Sequence, residues 1–417
     1  MLFSKDKQYI RCRSSGFSNM NESTIKRYIA RLLNLKRGEE GVDGIWNTLE
    51  SIGWDDIINI AQEHNVITFL FYKLKHLELE EKLKPEVHRV MSLKYQEGVA
   101  RNVITRHVLK DIILSLNRCN IKAIILKGAI NFCENIYENW NLRSMEDLDI
   151  LIKEEDFPAA RKCMQSAGLH YIKGRIPRDL SEDFESRNIA IDMHYLPVPE
   201  KHIHLFDMES FWSNTMCVEM DGLKIHIPSP TDQIYHKFIH DVIRHQELVD
   251  FQIQNLCDFV MISRYYKEKV DWKEILCRVR RNDIESLFKF HCWQIKKNLG
   301  TELPQAINNL SDDITKNYEK WHSQLSECPE WLESASERLM AILIKEGNVL
   351  AHLKNSFNIL VKESALKESG ELLLAVYHVK ECKILLPFIR TIHLFRILSL
   401  HILIIAYLTK RRLSTHK

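Results

Sequence analysis

Asp147 and Asp149 stand two residues apart in NLRSMEDLDILI, where Leu148, Ile150 and Ile152 alternate with them as they would along a strand. Aspartates at i and i+2 of one strand project from the same face, with Cα atoms about 6.5 Å apart at a rise of ~3.3 Å per residue. Carboxylates so placed suit one or two hard cations. Magnesium takes a few carboxylate oxygens and fills its shell with water and substrate phosphates, and two such ions ~3.5 to 4 Å apart suit in-line attack at phosphorus. A third acid, Asp192, lies in NIAIDMHYL, which puts Ile189, Ile191 and Met193 on one face and Ala190, Asp192 and His194 on the other. On a strand beside the first pair, Asp192 would complete the ligand set or accept the proton of an attacking hydroxyl. Burying three carboxylates without a cation would cost several kcal/mol, so a metal is the simplest compensation.

The elements that must carry these residues are legible in the periodicity. From Glu22 to Asn120 apolar residues recur at three and four, as in Ile45, Leu49, Ile52 and in Ile57, Ile60, Ala61, which predicts an all-helical lead-in divided at Gly53 and at Lys84-Pro85. IKAIILKG then reads as a short buried strand ending at a glycine, followed by a helical stretch, AINFCENIYENW. Glu154 to Ala167 is helical and stops at Gly168, and GLHYIKG is another strand. VEMDGLKIHI is a hairpin about an Asp221-Gly222 turn. After Pro228 the chain reads as helix to its end, with Ser229 or Thr231 as the first cap.

With these elements in place, Lys127-Gly128 after an apolar strand, Arg143-Ser144-Met145-Glu146-Asp147-Leu148-Asp149, and Ile191-Asp192-Met193-His194 resemble the bacterial uncharacterised nucleotidyltransferase family of the polymerase-beta-like superfamily. The resemblance covers about residues 40 to 260. It implies a nucleoside triphosphate, two Mg2+ ions (with Mn2+ a substitute), and transfer of a nucleoside monophosphate to an acceptor as pyrophosphate leaves. By motif position Asp147, Asp149 and Asp192 are the catalytic metal ligands. Gly128 lets the backbone approach the triphosphate, while Lys127, Arg143 and Ser144 belong to the nucleotide site, the two cations neutralising phosphate charge. The wider superfamily carries glycine-serine in the turn where this chain has Lys127-Gly128-Ala129.

His236, His240 and Arg244 are spaced by four and would share one helical face. Packing is favoured over a zinc pair for the histidines, because no third ligand is evident. His240 and Arg244, together with His194, remain candidates for substrate contact. Asp258 reads as structural, holding helix ends together. No P-loop, dinucleotide GxGxxG or Gly-x-Ser-x-Gly elbow appears.

Composition narrows the partners. Lys plus Arg number 58 against 56 Asp plus Glu, a net charge of +2 that gives no broad field for a nucleic-acid backbone, so nucleic acid is the less favoured partner. The ten cysteines form no CxxC pair, and a cytoplasmic location is expected. The N-terminus carries Lys5, Asp6 and Arg11 where an export signal needs an apolar run, so no export signal is expected, and residues 1–20 read as a loose tail or as an upstream start before Met20. Ile397 to Leu408 is apolar for 12 residues, short of the roughly 20 needed to span a bilayer. It reads as a buried terminal helix, with membrane-surface contact through Lys410, Arg411 and Arg412 as the lesser alternative.

The expected fold is therefore α+β, a small mixed sheet (121–228) holding the carboxylates between an N-terminal helical region (21–120) and a C-terminal one (229–417). The expected function is nucleotidyl transfer, with ATP as donor and a small molecule, peptide or protein as acceptor. Two alternatives stand beside it: a regulatory protein that binds nucleotide without turnover, and a tailoring component of a peptide-biosynthesis cluster.

Overall fold

The computed structural model describes residues 22–172, 181–245, 247–248 and 250–311. The N-terminal tail and the apolar run Ile397 to Leu408 with its basic flank lie outside those residues. Five helices lead in: α1 (Glu22–Asn34), α2 (Val42–Ile52), α3 (Trp54–Glu63), α4 (Ile67–His76) and α5 (Pro85–Arg118). Gly53, at φ +107°, separates α2 from α3 in a backbone region that side chains rarely adopt. Pro85 opens α5 at a position where its missing N–H costs nothing.

The sheet follows, built from β1 (Ala123–Ile125), β2 (Asp147–Ile152), β3 (His170–Ile172), β4 (Ser181–Ser186), β5 (Ile189–His194), β6 (Met216–Met220) and β7 (Leu223–Ile227), in the order β3-β4-β5-β2-β1-β7-β6. It is mixed. β2 runs antiparallel to β1 and parallel to β5, while β1 runs parallel to β7. Two short helices, α6 (Phe157–Ser166) and α7 (Met208–Ser213), lie within this region. The hairpin turn forms as expected, with Asp221 and Gly222 both at positive φ.

Two expectations need correction. AINFCENIYENW is not a helix beyond a 3-10 stretch at Lys127–Phe132. The Asn131 side chain explains the break, since its oxygen accepts from the Tyr137 N–H at 3.0 Å and its amide donates to the Trp140 carbonyl at 3.0 Å, which organises a loop in place of helix bonds. The strand β4 was not anticipated at all, because SEDFES carries one large apolar residue, the buried Phe184. Pairing with β5 from Ser181↔His194 to Ser186↔Ile189 builds it.

The chain then turns helical through α8 (Pro230–Phe238), α9 (Ile253–Tyr266), α10 (Trp272–Arg281), α11 (Glu285–Leu299) and α12 (Gln305–Asn308). Ser229 caps α8, its Oγ accepting from the Asp232 N–H at 3.1 Å. Directly after α8 the backbone widens into a π-helix, Ile239–Arg244. Among the described residues, one large cluster of buried apolar side chains runs from Ile25 to Ile307 and joins helices on both sides of the sheet to it, while Ile124, Leu126, Leu151 and Phe211 form a second, small cluster. The fold is thus α+β, a mixed sheet flanked by helices on both sides in sequence. Cys119, at the end of α5, and Cys163, on α6, form a disulfide that their separation of 44 residues had hidden. No helix among the described residues is long and apolar enough to cross a membrane.

Candidate active site

Parallel pairing of β2 with β5 sets Asp147 beside Ala190, Asp149 beside Asp192 and Leu151 beside His194. Residues paired across neighbouring strands point to one face, so this register gathers the acids that the sequence keeps more than 40 positions apart. One ligand atom each of Asp149, Asp192 and His194 lies within 4.8 Å of the others. Asp147 lines the same cavity but stands outside that set of three; the cavity measures about 330 Å³ and also takes in Lys127, Gly128, Arg143, Ser144, His240 and Arg244.

Lys127 reaches Asp149 because β1 delivers it there. The Leu126 N–H bonds the Asp149 carbonyl at 3.1 Å, the backbone turns through positive φ at Lys127, and its Nζ comes to 2.7 Å from Asp149 Oδ1. His194 Nε2 lies 3.0 Å from the same oxygen. Burial opposes ionisation of Asp149, but the Lys127 ammonium and the His194 hydrogen bond outweigh it and hold the carboxyl well below the usual carboxylate range. Asp149 is therefore ionised and fit to bind a cation. Two carboxylates and an imidazole make a donor set that suits a divalent ion, the oxygens favouring Mg2+ and the nitrogen making Mn2+ acceptable.

Arg143 is committed differently from the expectation. Its Nε and Nη2 donate to the two oxygens of Asp258, each at 2.8 Å, and its Nη1 donates to the Ser144 carbonyl at 3.2 Å. Asp258 also accepts from the Tyr137 hydroxyl at 2.6 Å and pairs with Lys237 at 3.0 Å. Burial alone would raise Asp258, yet Arg143 and Lys237 hold it well below the usual carboxylate range. The structural reading of Asp258 fits these contacts: it ties the loop before β2 to α8. The Ser144 hydroxyl lies 3.4 Å from the Thr68 hydroxyl.

The opposite wall is helical. Gln233, His236, Lys237 and His240 face the cavity, and the π-helix brings Arg244 and His245 there too. The wider turn adds His245 against His240, ring centroids 4.5 Å apart, while His236 and His240 stay neighbours at 6.1 Å and Arg244 lines the same cavity, the shared face expected for the three. His236 Nε2 meets the Pro197 carbonyl at 2.8 Å, the packing role expected for it. Burial pushes the His236 pKa down to about 3 and that of His245 to about 4, and it lowers His240 as well. These rings are neutral near pH 7, so Lys237 and Arg244 supply this wall's positive charge. Lys237, Tyr137, Asn255 and His245 were not singled out from sequence. The signal was there in Gln233, His236, Lys237 and His240, a polar set at helical spacing on a face that packs inward.

A family described as uncharacterised nucleotidyltransferases matches residues 50–300, more than half of the chain. The chain belongs to that family. Nucleotidyl transfer is thus its general chemistry, and the chain is a nucleotidyltransferase. No curated protein matches it. Among solved structures it is similar to the antibiotic-resistance factor ANT(2'')-Ia in solution, at 14% identity and a TM-score of 0.33, covering 43% of this chain and 94% of that one. The crystal structure of the same factor with adenylyl-2''-tobramycin is 12% identical, covering 44% and 99%, with a TM-score of 0.33. An antigenic nucleotidyltransferase-like protein from Paracoccidioides brasiliensis is 13% identical, covering 44% and 91%, with a TM-score of 0.29.

Proposed function

We propose that this nucleotidyltransferase moves a nucleoside monophosphate from a triphosphate, ATP being the preferred donor, to an acceptor hydroxyl, with pyrophosphate leaving. The observation that carries the reading is the convergence of donor atoms from Asp149, Asp192 and His194 within 4.8 Å, beside a lysine-bearing turn in a cavity of about 330 Å³. In this reading Asp147, Asp149 and Asp192 are the catalytic acids, with His194 beside them, and together they hold Mg2+, two ions by motif position. When bound, the metal supplies charge that offsets the phosphates and stabilises the leaving pyrophosphate.

The chain's own residues do the rest. Lys127 exchanges its bond to Asp149 for a phosphate oxygen, and the Lys127-Gly128 turn brings backbone N–H groups toward the same oxygens. Asp192 accepts the proton of the attacking hydroxyl. Arg143, held on Asp258, adds positive potential beneath the turn, and His240 and Arg244 meet the substrate from the helical wall. The core at 121–228 carries the acids, and the flanking regions 21–120 and 229–417 both contribute residues to the cavities beside it. A cytoplasmic setting is proposed on the free thiols Cys133, Cys217, Cys257, Cys277 and Cys292, with the Cys119–Cys163 disulfide pointing the other way.

The test is pyrophosphate release from ATP with Mg2+ or Mn2+, measured for the wild type and Asp149→Ala. Release that needs the metal and disappears in the variant supports the proposal. A second reading is favoured by Ala129, which stands where the wider superfamily has a hydroxyl: a regulatory protein that binds triphosphate without turning it over. Tight triphosphate binding with no release in any metal would select it.

A further inference from the structure

A second cavity, of about 520 Å³, opens on the other side of Asp147. It shares Asn65 and residues 144–147 with the first, so the two meet along the loop that enters β2. Its far wall is one face of α5, where Lys94, Glu97, Gly98 and Arg101 recur at three and four, and its floor is Ala190. Gly98 lets α5 press onto the start of α4, since a Cβ there would stand 2.0 Å from the Thr68 hydroxyl.

The register of β2 and β5 makes the two cavities successive steps along one sheet face. Asp149 and Asp192 pair in the first, and Asp147 and Ala190 pair two residues earlier, about 6.5 Å back at the usual strand rise. Where β5 carries a carboxylate at residue 192, it carries only a methyl at residue 190, which leaves room beside Asp147. A molecule seated in the groove therefore lies beside Asp147, one strand step from the pair Asp149 and Asp192.

The lining selects what that molecule is. No aromatic ring faces the groove among the described residues, so nothing offers a stacking platform for a base. Of its two cations, Lys94 is bonded to Glu97 at 3.2 Å, and Arg101 donates to the Met145 and Glu146 carbonyls at 3.2 and 3.4 Å. Three carboxylates, on Glu97, Glu146 and Asp147, face those two cations, which disfavours a phosphorylated ligand. Amides and hydroxyls on Gln62, Asn65, Thr68 and Ser144 complete the surface. The volume lies within the range of small-molecule pockets, roughly 300 to 1,000 Å³.

Resting on the nucleotidyl-transfer reading above, we infer that this groove is the acceptor subsite and takes a small polyhydroxylated molecule, neutral or bearing an amine. The acceptor's hydroxyl oxygen bonds to the α-phosphorus, the bond from that phosphorus to the bridging oxygen of pyrophosphate breaks with its electron pair leaving on pyrophosphate, and the hydroxyl proton passes to Asp192.

The experiment uses the full chain, with glucose, glucosamine and myo-inositol as neutral and amine-bearing probes, and glucose 6-phosphate and a short oligonucleotide as counter-probes. Ligand-observed NMR reads probe binding without nucleotide, and pyrophosphate release from ATP and Mg2+ reads turnover. At least one of the first three is expected to bind and to raise release about tenfold, and Ala190→Leu and Glu97→Arg are each expected to cut both effects by about tenfold. Binding of a manganese-loaded nonhydrolysable triphosphate stays within about twofold in both variants. Three results overturn the inference: no binding of any polyol, binding untouched by both variants, or preference for either counter-probe. Loss of triphosphate binding in the wild type overturns the underlying reading instead, and the NMR result stands apart from it.

Discussion

The Arg143 guanidinium occupies the space that a side chain at Gly128 would need: a Cβ built there would lie 1.8 Å from Nη1 and 2.3 Å from Cζ. An arginine head is usually mobile enough to yield, but this one is fastened to both oxygens of Asp258. Gly128→Ala must therefore break the clasp or move the turn. The expected cost is about 1 to 3 kcal/mol in unfolding free energy, as for overpacking elsewhere, with triphosphate affinity lowered about tenfold. Chemical denaturation and titration with a nonhydrolysable analogue measure the two effects. An unchanged affinity would remove the turn from the nucleotide site.

Asp258 is the hub on which three groups depend. Removing its charge by Asp258→Asn leaves Arg143 and Lys237 buried with weakened compensation, for which an expected loss is about 3 to 5 kcal/mol. The paired change Arg143→Met with Asp258→Leu removes the principal ion pair instead of breaking it, and is expected to recover part of that loss. Urea unfolding of both proteins decides. A single variant within about 0.5 kcal/mol of wild type would mean that the pair is relaxed by water in solution.

How much of this was legible in the sequence follows from which interactions are local. Alternation around Asp147–Ile152 and Ile189–His194 predicted β2 and β5, since each strand's own residues report which face is buried. Their parallel adjacency, which sets Asp149 beside Asp192, is a long-range pairing that periodicity does not encode, and only motif resemblance suggested it. β4 has no apolar alternation because its partner supplies the order. The role of Asn131 depends on Tyr137 and Trp140 lying within its reach, and the widening after Phe238 shows only in backbone geometry.

On the proposed reading, Lys127 and a metal ion compete for Asp149. The ammonium at 2.7 Å already satisfies Oδ1, so without nucleotide it opposes cation entry by charge and by occupancy. Lys127→Met is expected to tighten Mn2+ binding in the absence of nucleotide by several-fold, while weakening binding of the triphosphate by about tenfold. Electron paramagnetic resonance counts free Mn2+ directly. If both affinities fell together, the lysine would be aiding the metal site, and the exchange of partners argued for it would be wrong.

His291 links the packing of the helical region to pH. Its ring is 1% exposed and sits between Phe238 and Phe259, with centroids 6.0 and 5.1 Å away, and burial pushes its pKa down to about 3. An unfolded histidine titrates near ~6.5, so between about pH 6.5 and about pH 3 the unfolded chain binds a proton that the folded one refuses. Stability from this group is complete above about pH 6.5 and is lost as pH falls through that window. His236 and His245 act in the same direction. Asp241, raised by burial to about 6, acts oppositely, favouring the folded state as pH falls from about 6 toward the unfolded carboxyl value near ~3.9. Substituting His291→Leu removes one histidine from this balance without touching the cavity. Measured as the difference in unfolding free energy between about pH 8 and about pH 5, the variant is expected to lose about 2 kcal/mol less than wild type. Comparing differences within each protein cancels any fixed packing cost of the leucine, so equal acid sensitivity in the two proteins would show that His291 reaches water or a proton acceptor in the folded state.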